Sequence, residues 1–187
     1  MQLYALCDAA TLQQRGKSLN DFVTYANKYD ASILQYRNKS ESLERIKEDL
    51  LELRKIWNKK LIINDHIELV EFCDGLHLGQ EDLLRFGKSA KSAISYVRQR
   101  ITCEKLLGIS THNEAEILEA NEADLDYIGL GAFRATTTKN VKNNLGESLD
   151  KLASLSKFPV GAIGGVKLSD TFEHVTYLVI GSGLYED

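Results

Sequence analysis

Short apolar runs alternate with amphipathic segments along the whole chain. Eight of the runs are too short for a helix, which is typical of buried strands. They are Leu3–Cys7, Ser32–Tyr36, Leu61–Asn64, Gly75–Gly79, Leu106–Ser110, Tyr127–Gly131, Val160–Gly164 and Tyr177–Gly181. In the segments between them, as in Leu43–Ile56, apolar positions recur at steps of three and four residues, which predicts helices with one buried face. This alternation is typical of parallel strands joined by helices that cover the sheet.

The number of strands predicts the fold. Eight parallel strands favour a closed (β/α)8 barrel, or TIM barrel, formed by residues 1–187 as one domain. Further helices are expected at Leu19–Lys28, Ser89–Arg100, Glu114–Ala123 and Ser148–Lys157, with a short one near Leu168–Val175. Six residues follow Gly181, so we expect a compact barrel whose eighth helix is missing or reduced. A flavodoxin-like open sheet is the alternative fold, but it leaves three of the strands without a place.

Composition narrows the choice of partners. The 27 acidic and 23 basic residues are mixed along the chain, so no basic patch indicates a nucleic-acid partner. No apolar run approaches the roughly 20 residues that span a bilayer, and the first residues do not resemble a signal peptide, so we expect no membrane partner. Cys7, Cys73 and Cys103 are odd in number and far apart, which favours reduced thiols in a cytoplasmic protein. The oligomeric state remains open.

Polar side chains follow the end of the second predicted strand. Gln35, Arg37 and Lys39 alternate along the chain, so all three can point to the same side. The carboxyl ends of barrel strands form the face where active sites are built, which makes these residues candidates for binding an anion. A solvated strand end explains the same pattern equally well.

Two carboxylates are expected at the same face. Asn64 and Asp65 end the third strand, while Asp82 follows the fourth strand, which contains His77. Mg²⁺ in proteins is usually held by one or two carboxylates together with phosphates of the substrate. Each aspartate taken alone is better explained as a turn or cap residue, but the pair on neighbouring strands predicts a Mg²⁺ site.

The remaining strand ends supply further anion-binding candidates. Ser110 and His112 follow strand five, where a serine also serves as a helix cap, and the run from Thr136 to Lys139 offers hydroxyl groups and an ammonium group after strand six. Gly164 and Gly165 follow strand seven, and the Gly181-Ser182-Gly183 turn follows strand eight. These last two loops form the usual phosphate site of such barrels, because glycine lets backbone amides approach the oxygens closely.

Seven motifs now coincide, in order, with those of one family. They are Gln35-Tyr36-Arg37-Asn38-Lys39, Ile63-Asn64-Asp65, the run from Gly75 to Asp82, the run from Gly108 to His112, the run from Asp126 to Gly131, Thr136-x-Thr138-Lys139 and the run from Ala162 to Val166. The first and third are the most specific. On these motifs the chain resembles thiamine-phosphate synthase along nearly its whole length.

The resemblance implies both a reaction and a set of residue roles. Hydroxymethylpyrimidine pyrophosphate would lose pyrophosphate, and the nitrogen of hydroxyethylthiazole phosphate would attack the pyrimidine methylene cation. The implied pyrophosphate ligands are Gln35, Arg37, Lys39, Asn64, Ser110 and Lys139, of which Arg37, Lys39, Ser110 and Lys139 are the implied catalytic groups. Asp65 and Asp82 would hold Mg²⁺, and His77 would lie beside the pyrimidine. Thr136, Thr138, Gly165, Gly181 and Ser182 would bind the thiazole phosphate.

Three departures from the family pattern leave alternatives open, and the first is the missing or reduced eighth helix. His66 stands where the family usually has arginine, and the run from Ala132 to Ala135 replaces a proline-bearing loop. A thiazole tautomerase paralogue, in which His112 would shuttle a proton without a metal, is the nearest alternative. Such relatives lose the aspartate pair and the strand-two glutamine, so Gln35 and the pair favour the synthase. A non-catalytic barrel that binds a phosphate ligand is the third interpretation.

Overall fold

Eight parallel strands close into a barrel in the computed structural model, which describes residues 1–134 and 144–185. The strands are β1 (Gln2–Asp8), β2 (Ile33–Arg37), β3 (Lys60–Asn64), β4 (Gly75–Leu78), β5 (Leu106–Thr111), β6 (Tyr127–Gly131), β7 (Val160–Ile163) and β8 (Tyr177–Ile180). Each strand pairs with the next along the chain, and β8 pairs with β1. The predicted (β/α)8 barrel is therefore confirmed, and the open-sheet alternative is wrong.

The helices lie between the strands. They are α1 (Ala9–Gln14), α2 (Leu19–Lys28), α3 (Leu43–Ile56), α4 (Gln80–Leu83), α5 (Ala90–Arg98), α6 (Glu114–Ala120) and α7 (Ser148–Ala153). Two 3₁₀ helices occur at Ile67–Phe72 and Ser182–Tyr185. Ser18, Ser42, Ser89 and Asn113 start four of the helices, because each side chain accepts a hydrogen bond from a backbone amide of the first turn.

The segment between β7 and β8 corrects the sequence interpretation. The helix expected near Leu168–Val175 is wrong, because residues 164–176 form turns and bends. The Asp170 side chain accepts a hydrogen bond from the amide of Lys167 over 2.8 Å, and local bonds of this kind compete with helix formation. Helices α6 and α7 also end three to four residues earlier than expected, at Ala120 and Ala153.

Two apolar clusters hold the barrel together. The larger one joins helix residues such as Phe22 and Leu50 to strand residues such as Leu34, and so attaches the helices to the outside of the sheet. The smaller one comes from five strands and fills the inside of the barrel; its members are Tyr4, Ile33, Ile62, Tyr127 and Val179. This inner cluster forms the floor under the carboxyl ends of the strands. No helix of the described ranges is both long and apolar enough to cross a membrane.

Candidate active site

A cavity of about 500 Å³ opens at the carboxyl ends of the strands. Every predicted site residue that the structure describes contributes to its lining: Gln35, Arg37, Lys39, Asn64, Asp65, His77, Asp82, Ser110, Gly165, Gly181 and Ser182. Thr136, Thr138 and Lys139 lie outside the described residues. The structure thus brings these side chains from separate strands to one place, while their individual roles stay predictions.

Two acidic side chains lie together at the ends of β3 and β4. Lys39 Nζ is 3.1 Å from Asp65 Oδ2, and Arg85 Nη1 is 3.7 Å from Asp82 Oδ1. The other oxygen of each carboxylate, Asp65 Oδ1 and Asp82 Oδ2, is buried and has no hydrogen-bond partner among residues 1–134 and 144–185. Burial, followed by the nearby Asp65 carboxylate, raises the pKa of Asp82. Two buried, unpartnered carboxylate oxygens on neighbouring strands fit the oxygen ligands that a hard divalent cation requires.

The backbone at Asp65 is strained in a way that serves this arrangement. Its φ angle is +66°, a left-handed conformation that is uncommon for residues other than glycine. The Asp65 amide still donates to the carbonyl of His77 over 2.9 Å, which extends the contact between β3 and β4 past the strand end. Strain of this size, of order 1–3 kcal/mol, persists where the surroundings impose it, and it is concentrated at functional sites.

Arg37 has a carboxylate partner that the sequence analysis missed. Asp8, the last residue of β1, is buried and accepts a hydrogen bond from Arg37 Nη1. The same carboxylate accepts from the amide of Thr11 over 3.1 Å and from its hydroxyl over 2.8 Å, and so caps α1. Asp8 therefore fixes one side of the Arg37 guanidinium, and the arginine also lines the cavity. The sequence could have indicated Asp8, because it directly follows an apolar run, as the other candidate site residues do.

A hydrogen-bonded chain of side chains crosses the cavity floor. Gln35 Nε2 donates to Asn64 Oδ1 over 2.6 Å, and the Tyr4 hydroxyl donates to Gln35 Oε1 over 2.9 Å. The Tyr4 and Tyr127 hydroxyl oxygens are 2.9 Å apart. Burial raises the pKa of both tyrosines above the ordinary value, so both phenols remain neutral. The orientation of Gln35 is thus set by two other side chains, Asn64 and Tyr4.

The same chain continues to His77 and Ser110. His77 Nδ1 is 3.0 Å from the Tyr127 hydroxyl, and His77 Nε2 is 3.0 Å from Ser110 Oγ. Because Tyr4 uses its proton on Gln35, Tyr127 donates to Tyr4 and accepts from His77 Nδ1–H. That leaves His77 Nε2 to accept the Ser110 hydroxyl proton. The absent side chain of Gly108 makes room for the Tyr127 ring, since a Cβ there would lie 2.2 Å from Tyr127 Cζ.

Unpaired backbone amides line the opposite side of the cavity. Gly164 and Gly165 have φ angles of +87° and +65°, which L side chains rarely adopt. Within the described ranges, the amides of Gly165 and Val166 donate to no protein acceptor, and neither do those of Ser182 and Gly183. Successive free amides around such a turn form a concave anion site. The loops after β7 and β8 can therefore take a phosphate group.

His112 lies at the rim of the cavity. Its ring Nδ1 is 2.9 Å from Glu116 Oε2, and its amide donates to the same oxygen over 2.8 Å. These contacts join the end of β5 to the first turn of α6. Glu116 is therefore a local structural partner of the His112 ring.

Comparisons with known proteins agree in pointing to one family. The family model described as "Thiamine monophosphate synthase" matches residues 3–179. A thiamine-phosphate synthase of Persephonella marina is 31% identical over 172 residues, which cover 89% of this chain and 77% of that protein. The corresponding protein of Lawsonia intracellularis is 35% identical over 172 residues, which cover 88% and 74% of the two chains. The solved structure of a thiamine phosphate pyrophosphorylase from Pyrococcus furiosus has the same fold, with a TM-score of 0.77 at 24% identity, over 97% of this chain and 87% of that one.

Proposed function

Because the chain belongs to the thiamine monophosphate synthase family, we propose that it condenses hydroxymethylpyrimidine pyrophosphate with hydroxyethylthiazole phosphate. The products are thiamine phosphate and pyrophosphate. The observation that carries this proposal is the cavity itself, which joins an acidic pair, basic side chains and free backbone amides above a polar floor. Each of these features matches one part of the two substrates.

The pyrophosphate is assigned to the side formed by β2, β3 and β4. Arg37 and Lys39 supply positive charge there, and Asn64 supplies an amide. Asp65 and Asp82 would hold Mg²⁺, because each has a buried carboxylate oxygen without a hydrogen-bond partner. When bound there, Mg²⁺ supplies charge that balances the negative phosphate oxygens. Lys139 is expected to add a further positive charge.

The pyrimidine is assigned to the floor. A neutral pyrimidine needs a flat apolar surface with a few directed donors and acceptors, and the tyrosines, Gln35 and His77 provide both. Their mutual hydrogen bonds hold each polar group in one orientation before the substrate arrives. Ser110, hydrogen-bonded to His77, lines the same cavity and is expected to contact the leaving group.

The thiazole phosphate is assigned to the opposite side. Gly165 and the Gly181-Ser182 turn provide backbone amides for its phosphate, and Thr136 and Thr138 are expected to add hydroxyl groups. This arrangement leaves the thiazole ring between the two anion sites. Its nitrogen can then face the pyrimidine methylene carbon, which is the carbon that must be attacked.

The reaction follows from this placement. The bond between the methylene carbon and the pyrophosphate oxygen breaks, and its electron pair leaves with the pyrophosphate. The thiazole nitrogen then uses its own lone pair to form the new carbon–nitrogen bond, so no protein nucleophile or general base is required. The protein contributes charge where pyrophosphate departs and alignment of the two rings, which are the largest usual sources of rate in such a step.

We also infer a cytoplasmic location for the enzyme. Cys7, Cys73 and Cys103 are all free, and the first two are buried. Burial raises the pKa of Cys73 to about 12, so this thiol remains protonated and unreactive. Free thiols of this kind suit a reducing compartment.

A product assay tests the proposed function. Purified protein is supplied with both substrates, with Mg²⁺ or with a chelator, and thiamine phosphate and pyrophosphate are quantified separately. We expect equal amounts of the two products with Mg²⁺, and a loss of both with the chelator. Release of pyrophosphate without thiamine phosphate, or isomerisation of the thiazole without either product, would contradict the proposal.

A further inference from the structure

One arginine from the neighbouring loop contacts the first part of the loop after β7, between Gly164 and Asp170. Residues 164–176 contain no regular helix, so the internal hydrogen bonds of a helix do not fix this segment. Arg134, three residues beyond β6, contacts it at several points. It stands within the run from Ala132 to Ala135, where the sequence departs from the family pattern.

The contacts of Arg134 involve both its backbone and its side chain. Its amide donates to the carbonyl of Gly164 over 2.8 Å, and its Nη1 donates to the carbonyl of Gly165 over 2.8 Å. The guanidinium also forms a two-point contact with Asp170, with Nη1 to Oδ2 at 2.6 Å and Nη2 to Oδ1 at 2.8 Å. Asp170 in turn accepts from the amide of Lys167 over 2.8 Å. We call this set the Arg134 clasp.

The Arg134 clasp determines which way two backbone amides point. In a planar trans peptide unit, the N–H points away from the C=O of the same unit. The carbonyls of Gly164 and Gly165 both face Arg134, so the amides of Gly165 and Val166 point away from it. Both residues line the cavity, and their amides donate to no acceptor in the described part of the chain. The amides are therefore presented to the cavity.

We propose that Arg134 is a positioning residue for the phosphate of the thiazole substrate. Its guanidinium holds the carbonyl of Gly165 and the carboxylate of Asp170, and its backbone amide holds the carbonyl of Gly164, so that the amides on the opposite side form the anion site. The guanidinium contacts are the part that a substitution of Arg134 removes. This inference rests on the proposed function in one respect, which is that the bound phosphate ester is the thiazole substrate. The geometry itself predicts an anion site for any small phosphate.

The chemistry of the guanidinium suits this task. A planar fork can bind a carboxylate at two points and still donate to a carbonyl, whereas an ammonium group is a single point charge. The contact with Arg134 keeps the pKa of Asp170 below its ordinary value, so the carboxylate remains charged at neutral pH. Since the Arg134 side chain is 44% exposed, its removal leaves the core of the protein intact.

The test compares Arg134→Ala and Arg134→Lys with Arg54→Ala. Arg54 is the matched control, because its guanidinium, like that of Arg134, joins a carboxylate to backbone carbonyls, but at the amino ends of the strands. Dissociation constants of hydroxyethylthiazole phosphate and of inorganic phosphate are measured by calorimetry. Michaelis constants for both substrates, kcat and thermal unfolding are measured on the same samples.

For Arg134→Ala we expect about a tenfold weaker affinity for both phosphate probes, of the size that hydrogen bonds to charged groups contribute. The Michaelis constant of the thiazole phosphate should rise in parallel, while that of the pyrimidine pyrophosphate and kcat at saturation stay within about twofold. Arg134→Lys should recover only part of the loss. Arg54→Ala should leave every one of these constants unchanged.

Other outcomes separate the two proposals. Unchanged phosphate affinity in Arg134→Ala, or an equal loss for both substrates, would overturn the positioning role. A wild-type protein that forms no thiamine phosphate would contradict the proposed function. If that protein still binds inorganic phosphate, and Arg134→Ala weakens the binding, the inference about the anion site stands on its own. A wild-type protein that binds neither probe overturns the inference as well.

Discussion

Two aspartates flank strand β4, and they have opposite surroundings. Asp74 precedes the strand at the amino end of the barrel, where it accepts from the amide of Leu61 over 2.8 Å and from Arg54 Nη2 over 2.7 Å. Asp82 follows the strand at the carboxyl end, where one of its oxygens is buried and has no hydrogen-bond partner among the residues that the structure describes. An aspartate thus has two hydrogen-bond donors on one oxygen at the amino end of the strand, whereas an aspartate at the carboxyl end has a buried oxygen with none among the described residues.

The pKa values of the two carboxyl groups shift in opposite directions. Burial opposes ionisation of Asp74, but the Leu61 amide and Arg54 outweigh it and lower its pKa. Burial and the neighbouring Asp65 raise the pKa of Asp82. A charge that its surroundings stabilise increases the free energy of unfolding. A charge that its surroundings destabilise decreases it until a bound cation compensates the charge.

The contrast extends around both ends of the barrel. At the amino end, Asp126 repeats the pattern of Asp74, since it accepts from the amide of Leu107 over 2.7 Å and from Arg98 Nη2 over 2.5 Å. At the carboxyl end, the amides after β7 and β8 and one oxygen of each carboxylate of the pair have no hydrogen-bond partner in the described part of the chain. Incomplete hydrogen bonding among the described residues therefore distinguishes the proposed binding end of this barrel from the amino end better than the number of charges does.

The largest effect is expected for Asp82→Ala. Loss of one preorganised electrostatic group should reduce kcat by about 10²–10³-fold, because Asp82 is one of two proposed cation ligands. Mg²⁺ should raise the melting temperature of the wild-type protein, since a ligand that binds only the folded state stabilises it. The same addition should leave the variant's melting temperature unchanged. Near-normal turnover at saturating Mg²⁺ would remove Asp82 from the cation site.

A smaller effect, and on stability alone, is expected for Arg54→Ala. The variant loses contacts to Asp74 and to two backbone carbonyls, so the free energy of unfolding should fall by about 1 kcal/mol, with the charge part reduced by solvent. Because the folded-state pKa of Asp74 is lowered, its charge stabilises the fold above the unfolded pKa of about 3.9. That contribution is lost as the pH falls through the folded-state pKa.

Urea unfolding at pH 7 and at stepwise lower pH measures the free energy of unfolding of wild type and of Arg54→Ala. Product formation by both proteins is assayed at pH 7. The gap between wild type and Arg54→Ala should be widest at pH 7 and should narrow below about pH 4. Turnover should equal that of the wild type. A loss of turnover in Arg54→Ala would show that the amino end of the barrel also contributes to activity. A stability difference that does not depend on pH would show that the charge of Asp74 does not contribute to it.

The strand ends could be predicted from the sequence because they obey two local rules. Each strand is a short apolar run, and the polar residues after it reach the same face of a parallel barrel. Asp65, Asp82 and Arg37 could be identified as candidates on that basis alone. The helix expected near Leu168–Val175 is wrong, because the segment instead forms side-chain contacts that apolar periodicity does not reveal. Asp170 accepts from the Lys167 amide and from Arg134, which follows a different strand.

Tyr4 and Tyr127 could not have been identified in the same way. Strands of a parallel barrel are buried on both sides, so their sequences do not alternate and do not reveal which residues point inward. A tyrosine inside an apolar run looks like any other core residue. Only the closed barrel brings the two hydroxyl groups to 2.9 Å from each other and places Tyr127 beside His77.

The smallest effect is expected for His112→Ala, although His112 also lies at the carboxyl end. Its ring already has a partner in Glu116, and the proposed reaction needs no general base. Formation of thiamine phosphate should fall by less than about threefold, against the 10²–10⁴-fold that a positioned acid or base supplies. The paired measurement assays His112→Ala and Asp65→Asn for thiamine phosphate formation and for thiazole isomerisation. If His112→Ala is the inactive variant and Asp65→Asn is harmless, the tautomerase interpretation replaces the synthase. In that case His112, which has a hydrogen-bond partner, would be more important for activity than the carboxylate pair.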